Sequence, residues 1–151
     1  MSRIANDMEG AAWDFQHSVE CKASREFAWK YWTNIANWDD PPAKFELDGP
    51  FEAGSRCTTI LPDQTLHSVI RNVRAERQAT IEMQLLDAIV SFHWSFEELS
   101  KDRVQITQRI VLTGRNAPAF IAEAGILEHT VPDGMKKLAA AIERSWTACL
   151  K

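Results

Sequence analysis

The chain has 151 residues, with 17 Lys and Arg against 21 Asp and Glu and a formal net charge of −4. A chain of this length buries on the order of 70% of its unfolded surface, so one domain with an ordinary core needs neither disulfides nor metal. The acidic balance, with no basic run, excludes a nucleic-acid partner, which relies on clustered positive charge.

Residues 1–11 read as an N-terminal extension and 12–151 as a single ligand-binding domain. Met1 to Gly10 has no apolar signal core, and no stretch approaches the roughly 20 apolar residues of a membrane span, so a cytoplasmic protein without integral membrane association is expected. Trp13, Phe15, His17, Val19 and Cys21 alternate with Asp14, Gln16, Ser18 and Glu20, which predicts a strand over 12–21 with one buried face. Ser24 then offers a helix N-cap, with Glu26 in the first turn and Phe27, Ala28, Tyr31 and Trp32 on one side. Ile35 and Trp38 lead into Asp39-Asp40-Pro41-Pro42, where two prolines force extended chain.

Phe45 and Leu47 mark a brief second strand, and residues 55–61 a third. Strands over 66–73, 80–86, 89–98 and 104–113 complete an antiparallel meander. In the first of these, Val69 and Val73 are out of phase with Leu66 and Ile70, which predicts a bulge. A two-residue turn at Asp87-Ala88 pairs Leu86 with Ile89 and sets Leu85, Met83 and Ile81 opposite Val90, Phe92 and Trp94. A three-residue loop at Ser100-Lys101-Asp102 pairs Leu99 with Arg103, so that Phe96, Trp94, Phe92 and Val90 face Ile106, Gln108, Ile110 and Leu112. After Gly114, residues 118–129 read as a helix interrupted at Pro132. Asp133 then caps a final helix whose Met135, Leu138, Ala139, Ile142, Trp146 and Cys149 share one face.

Several motifs stand in a telling order. Ala23-Ser24-Arg25-Glu26-Phe27-Ala28-Trp29, Ile35-Ala36-Asn37-Trp38, Gly49-Pro50-Phe51-Glu52-Ala53-Gly54 and Pro132-Asp133-Gly134-Met135-Lys136-Lys137-Leu138 resemble the helix, loop and closing-helix motifs of the START-like, or Bet v 1-like, superfamily. Within it the chain is most similar to the polyketide cyclase/dehydrase-like branch of the SRPBCC proteins. The resemblance runs over nearly the whole chain from Trp13 onward. It implies an α+β helix-grip fold: a curved seven-stranded antiparallel sheet wrapped around a long C-terminal helix, with two short helices after strand one and an apolar cavity inside. Members of the superfamily bind lipids, hormones, polyketides or aromatic metabolites, and some catalyse cyclisation, dehydration or hydrolysis. No catalytic motif spans the superfamily, so none is carried over.

In Val90-Ser91-Phe92-His93-Trp94-Ser95-Phe96 the large apolar residues fall on one face, which suits either core or the wall of a cavity. Phe92, Trp94, Ile110, Ile142 and Trp146 are the candidate walls. Gln108 is the one polar residue between Ile106 and Ile110 on the inward stripe, and a buried amide needs a partner in protein, water or ligand. His17, between Phe15 and Val19, is a second polar candidate, either as a proton carrier or as a satisfied core histidine. His93 alternates with the apolar stripe and is expected on the solvated outer face, as is Glu82. No His or carboxylate spacing suggests a metal, and no glycine loop suggests a nucleotide cofactor. Cys21, Cys57 and Cys149, an odd count with no C-x-x-C, are expected as three buried small hydrophobes. No sequence feature specifies an oligomer. The expected function is binding of a small apolar or aromatic molecule between sheet and last helix. A cyclase or dehydratase using the same cavity, and an interaction module of the Hsp90-activator type, are the alternatives.

Overall fold

The alternation around His17 becomes strand β1 (Trp13–Cys21), the first element of a computed structural model that describes residues 10–150. The expected extension over 1–11 lies almost entirely outside the described residues. Helix α1 (Arg25–Thr33) starts where the sequence places its cap: the Ser24 side chain accepts a hydrogen bond from the Phe27 amide at 3.0 Å. A 3-10 turn (Ile35–Asn37) follows, and then strands β2 (Lys44–Leu47), β3 (Arg56–Ile60), β4 (Thr65–Arg74), β5 (Gln78–Leu85), β6 (Ala88–Ser100) and β7 (Arg103–Thr113). A second 3-10 turn (Ala117–Phe120) leads into helix α2 (Ile121–Cys149). The strands form one seven-stranded antiparallel sheet in the order β1-β7-β6-β5-β4-β3-β2, so the meander runs from β2 at one edge to β7, beside which β1 forms the other edge.

Three local expectations are corrected. The β5–β6 turn is Leu86-Asp87, so Leu85 pairs with Ala88 and Met83, Ile81 and Ala79 face Val90, Phe92 and Trp94. Each partner has slipped by two residues from the expected register, and because side chains alternate with period two, the same faces still meet. Asp87 adopts a positive φ of 56° there, a conformation aspartate tolerates. At the β6–β7 turn Ser100 pairs with Arg103, and a register shift between Glu98 and Ser100 leaves Leu99 as the extra residue. Beyond that bulge the expected pairs Phe96–Ile106, Trp94–Gln108, Phe92–Ile110 and Val90–Leu112 all form.

The third correction is at Pro132, which lies inside α2 rather than between two helices. Proline removes one helical hydrogen bond, but the flanking turns are held by packing on both sides: Ala124 before it and Met135, Ala139 and Ile142 after it are buried. The bulge expected in β4 is present between Arg71 and Arg74, and it returns Val73 to the core side.

Helix α2 lies along the inner face of β1. The indole of Trp13 donates to Glu128 at 2.9 Å, and further along the Lys22 amide donates to Glu143 at 2.9 Å. The buried apolar residues under α2 fall into two clusters. One joins α1, Cys21, Phe96, Val104 and Ile106 to Met135, Ala139 and Ile142. The other joins Val90, Ile110 and Leu112 to Ala117 and Ala124.

Candidate ligand-binding site

The two clusters meet along a boundary, the seam, at which Phe92 and Val131 pack against both; of the residues singled out from the sequence, Trp94, Ile142 and Trp146 belong to the first cluster and Ile110 to the second. Register places His17, Gln108, Trp94 and Ala79 in one row across β1, β7, β6 and β5. The neighbouring row is Phe15, Ile110, Phe92 and Ile81. Both rows face α2. Phe92 and Val131 pack against both clusters, which marks them as the sides of the seam.

Accessibility shows where this inner face is closed and where it is open. Ile110 and Ile142 have no accessible surface and serve as packing within their clusters. Phe15, His17, Phe92 and Trp94 are only partly buried. Phe92 and Trp94 belong to an interior strand of the sheet, so they keep accessible surface only where the covering helices do not close down on them. Gln108, between His17 and Trp94, is 7% exposed, and its amide makes no hydrogen bond to any described residue. The amide atoms are not among the fully buried side-chain atoms that lack a partner, a condition met among the described residues by Arg25 Nε, so they keep a small accessible surface of their own.

The two tryptophans expected on opposite walls each have an aromatic neighbour on α1. Trp94 lies 5.0 Å from Trp32, ring centre to ring centre, and Trp146 lies 5.3 Å from Phe27. Trp32 also meets Trp29, Trp38, Phe51 and Phe96, so one end of the seam is closed by an aromatic cluster. This cluster is the feature that sequence reading missed. Its signal was present in the density of aromatics between Phe27 and Phe51, but helical spacing alone does not say which strand they meet.

Chemistry outside the seam is mostly structural. His93 is on the outer face as expected, yet it is half-buried rather than solvated, with its Nδ1 2.9 Å from the Thr80 hydroxyl. Burial, reinforced by the Arg109 guanidinium, pushes its pKa below the usual 6.5, while Glu82 acts in the opposite sense. Cys21 and Cys57 are buried, and burial raises their thiols to about 12 and about 11; the Glu143 carboxylate adds to the rise at Cys21. Cys149 corrects the expectation of three buried thiols: it is exposed, because the last turn of α2 runs past the Trp146–Phe27 contact. Among the described residues no group of three or more His, Cys, Asp or Glu side chains is placed to hold a metal, and no helix is long and apolar enough to cross a membrane. Two open depressions lie away from the seam, one along the outer side of α2 at Ala140, Glu143 and Thr147, the other across β2 to β5 at Glu46, Arg56, His67 and Gln84.

No protein-family model matches the chain, and no curated protein does. Solved structures do. Norcoclaurine synthase from Thalictrum flavum, in complex with dopamine and hydroxybenzaldehyde, superposes with a TM-score of 0.66 at 17% identity, over 94% of this chain and 92% of that one. The Zhui aromatase/cyclase from Streptomyces sp. R1128 gives 0.69 at 15% identity, over 87% and 94%. The di-domain aromatase/cyclase of the steffimycin pathway gives 0.70 at 14% identity, over 95% of this chain and 54% of that one. The seven-stranded antiparallel sheet closed by one long C-terminal helix is therefore a helix-grip fold, shared with norcoclaurine synthase and the aromatase/cyclases.

Proposed function

We propose that the chain binds a small apolar or aromatic molecule in the seam between the inner sheet face and α2. Phe92 and Trp94 supply ring surfaces, and Gln108 and His17 supply hydrogen bonds. The observation that carries this reading is Gln108: a mostly buried side chain in register with His17 and Trp94, whose amide makes no hydrogen bond to a described residue and keeps accessible surface of its own. Support for an aromatic ligand comes from the fold neighbours, one of which holds dopamine and hydroxybenzaldehyde. Native mass spectrometry of freshly purified protein, followed by titration with 8-anilinonaphthalene-1-sulfonate, tests it. Saturable 1:1 binding that is weakened by Gln108→Leu is expected; absence of any retained molecule and of saturable uptake overturns it.

The cyclase or dehydratase reading uses the same site. It is favoured by His17, which places a group able to take or give a proton next to Gln108. It requires chemical conversion of a bound aromatic or polyketide-like compound, with loss of turnover but retention of binding in His17→Gln. The protein-interaction reading finds less support, since the large exposed apolar side chains are dispersed: Leu86 on a hairpin turn, Leu99 on a bulge, Ile121 and Ile126 in the first turns of α2 and Leu150 just past its other end.

A further inference from the structure

Helix α2 is one element by hydrogen bonding but two by packing. Ala124, with Leu127 beside it, belongs to the cluster around Val90 and Leu112, whereas Met135, Ala139 and Ile142 belong to the cluster around Ile106 and α1. Val131 packs against both, and Pro132 follows it directly. The boundary between the two halves of the helix therefore falls on the residue least able to sustain it. Proline has no N–H for the Glu128 carbonyl, and its ring crowds the preceding turn.

Two glycines add to the weakness without a packing reason. A Cβ built on Gly125 or on Gly134 meets nothing within 4 Å, so alanine fits at both and would strengthen the helix. The halves are also held unequally. The second is anchored by Met135 and Ile142, both essentially inaccessible, and by bonds from Cys21 to the Ala139 carbonyl and from Lys22 to Glu143. The first exposes Ile121 and Ile126, and an exposed hydrogen bond from Trp13 to Glu128 ties it to β1.

We propose that Val131–Pro132 is a hinge on which residues 121–131 lift from the sheet and admit a ligand to the seam, while Ala117, fully buried, stays in place. Its role as a gate rests on the proposed binding site, while the hinge is a property of the ligand-free chain. Opening exposes Phe92 and Val131, the two residues shared by both clusters, and leaves the anchored half of α2 in place. Such segments are drawn from the low-stability part of a fold, where local opening costs far less than global unfolding.

Hydrogen exchange of the full ligand-free chain tests the hinge. Amides of 121–131 should exchange together and well ahead of those of 135–149. Pro132→Ala, and separately Gly134→Ala, should slow exchange of 121–131, by about tenfold or more for the proline variant and severalfold for the glycine variant. Stopped-flow uptake and release of 8-anilinonaphthalene-1-sulfonate should slow by matching factors, leaving the equilibrium affinity nearly unchanged. Uniform protection along α2, or exchange of 121–131 untouched by both substitutions, overturns the hinge. Slowed exchange with unaltered probe rates overturns the gate, and a wild type that takes up no probe overturns the binding site while exchange still decides the hinge.

Discussion

Gln108 stands directly opposite His17 across the β1–β7 pairing, with both side chains on the face that α2 covers. Trp94 occupies the matching position on β6, so the three form one row that runs from His17 on the edge strand through Gln108 on its neighbour to the aromatic member one strand further in. A ligand lying over this row meets a ring surface at one end and hydrogen-bonding groups at the other.

The first prediction follows from the state of Gln108. With no hydrogen bond to a described residue, the amide contributes nothing to folding that leucine of similar size would lose. Gln108→Leu should keep or slightly raise the melting temperature and weaken a hydrogen-bonding aromatic ligand by about fivefold, the worth of one net hydrogen bond of about 1 kcal/mol. Calorimetry and probe titration on the same sample check both halves. A clear loss of stability with unchanged affinity would show the glutamine to be structural.

His93 sets an acid limit on stability. Its pKa is lowered in the folded protein, chiefly by burial and then by Arg109, so the unfolded chain takes up the proton first as pH falls. The stabilisation is fully present above pH 6.5 and is lost as pH drops from there through the folded pKa. Urea midpoints should therefore decline between neutral pH and pH 5, and His93→Gln should flatten that part of the profile.

The thiols act at the other end of the scale. Buried Cys21 and Cys57 have pKa values raised from 9.0 to about 12 and about 11, so the folded state keeps them protonated where the unfolded state ionises. Stability from these groups is complete below pH 9 and falls as pH rises toward those values. Under native conditions at pH 8, an aromatic disulfide reagent should label Cys149 quickly and the other two only as the protein opens, and Cys149→Ser should remove the fast phase.

Much of this arrangement is legible in the sequence because strands carry their faces in a period of two. Beyond the bulge at Leu99 the β6–β7 pairs were readable residue by residue, and the β5–β6 faces survived a turn misplaced by one position on each side, since a double slip restores the alternation. Helix α2 was less legible. Local rules end a helix at Pro132, whereas burial of Met135 and Ile142 on one side and Ala124 on the other carries it through. Least legible was the partner of Trp94. Nothing in an alternating stripe says that Trp32, 62 positions earlier in the chain, will lie 5.0 Å away.

Two glycines separate backbone strain from steric contact. Both have positive φ, 97° at Gly54 and 115° at Gly114, but a Cβ on Gly54 meets nothing, whereas on Gly114 it would come within 2.7 Å of the Ala88 Cα and 2.8 Å of the Asp87 carbonyl oxygen. Gly54→Ala should cost about 1 kcal/mol of conformational strain. Gly114→Ala adds a clash with backbone that cannot rotate away and should cost upwards of about 2 kcal/mol, read as a shift in denaturation midpoint at unchanged slope.

The sharpest division between core and site is offered by Trp94 and Ile142. Ile142 has no accessible surface and sits within one apolar cluster, so Ile142→Ala removes contacts on every side and should cost about 2–5 kcal/mol, depending on how far the cavity collapses. Trp94 is larger but only partly buried, and its contact with Trp32 accounts for one side of the ring. Truncating a fully enclosed tryptophan costs about 3–5 kcal/mol; with part of the ring facing open space the loss for Trp94→Ala should stay below about 3 kcal/mol. In binding the order reverses. Trp94→Ala should abolish uptake of 8-anilinonaphthalene-1-sulfonate, because the ring surface in the seam is gone, while Ile142→Ala should retain it under conditions where both variants are folded. Denaturation curves and probe titrations of the two proteins give four numbers. If Trp94→Ala is the more destabilised and binds the probe normally, the indole is core and the seam beside it takes no ligand.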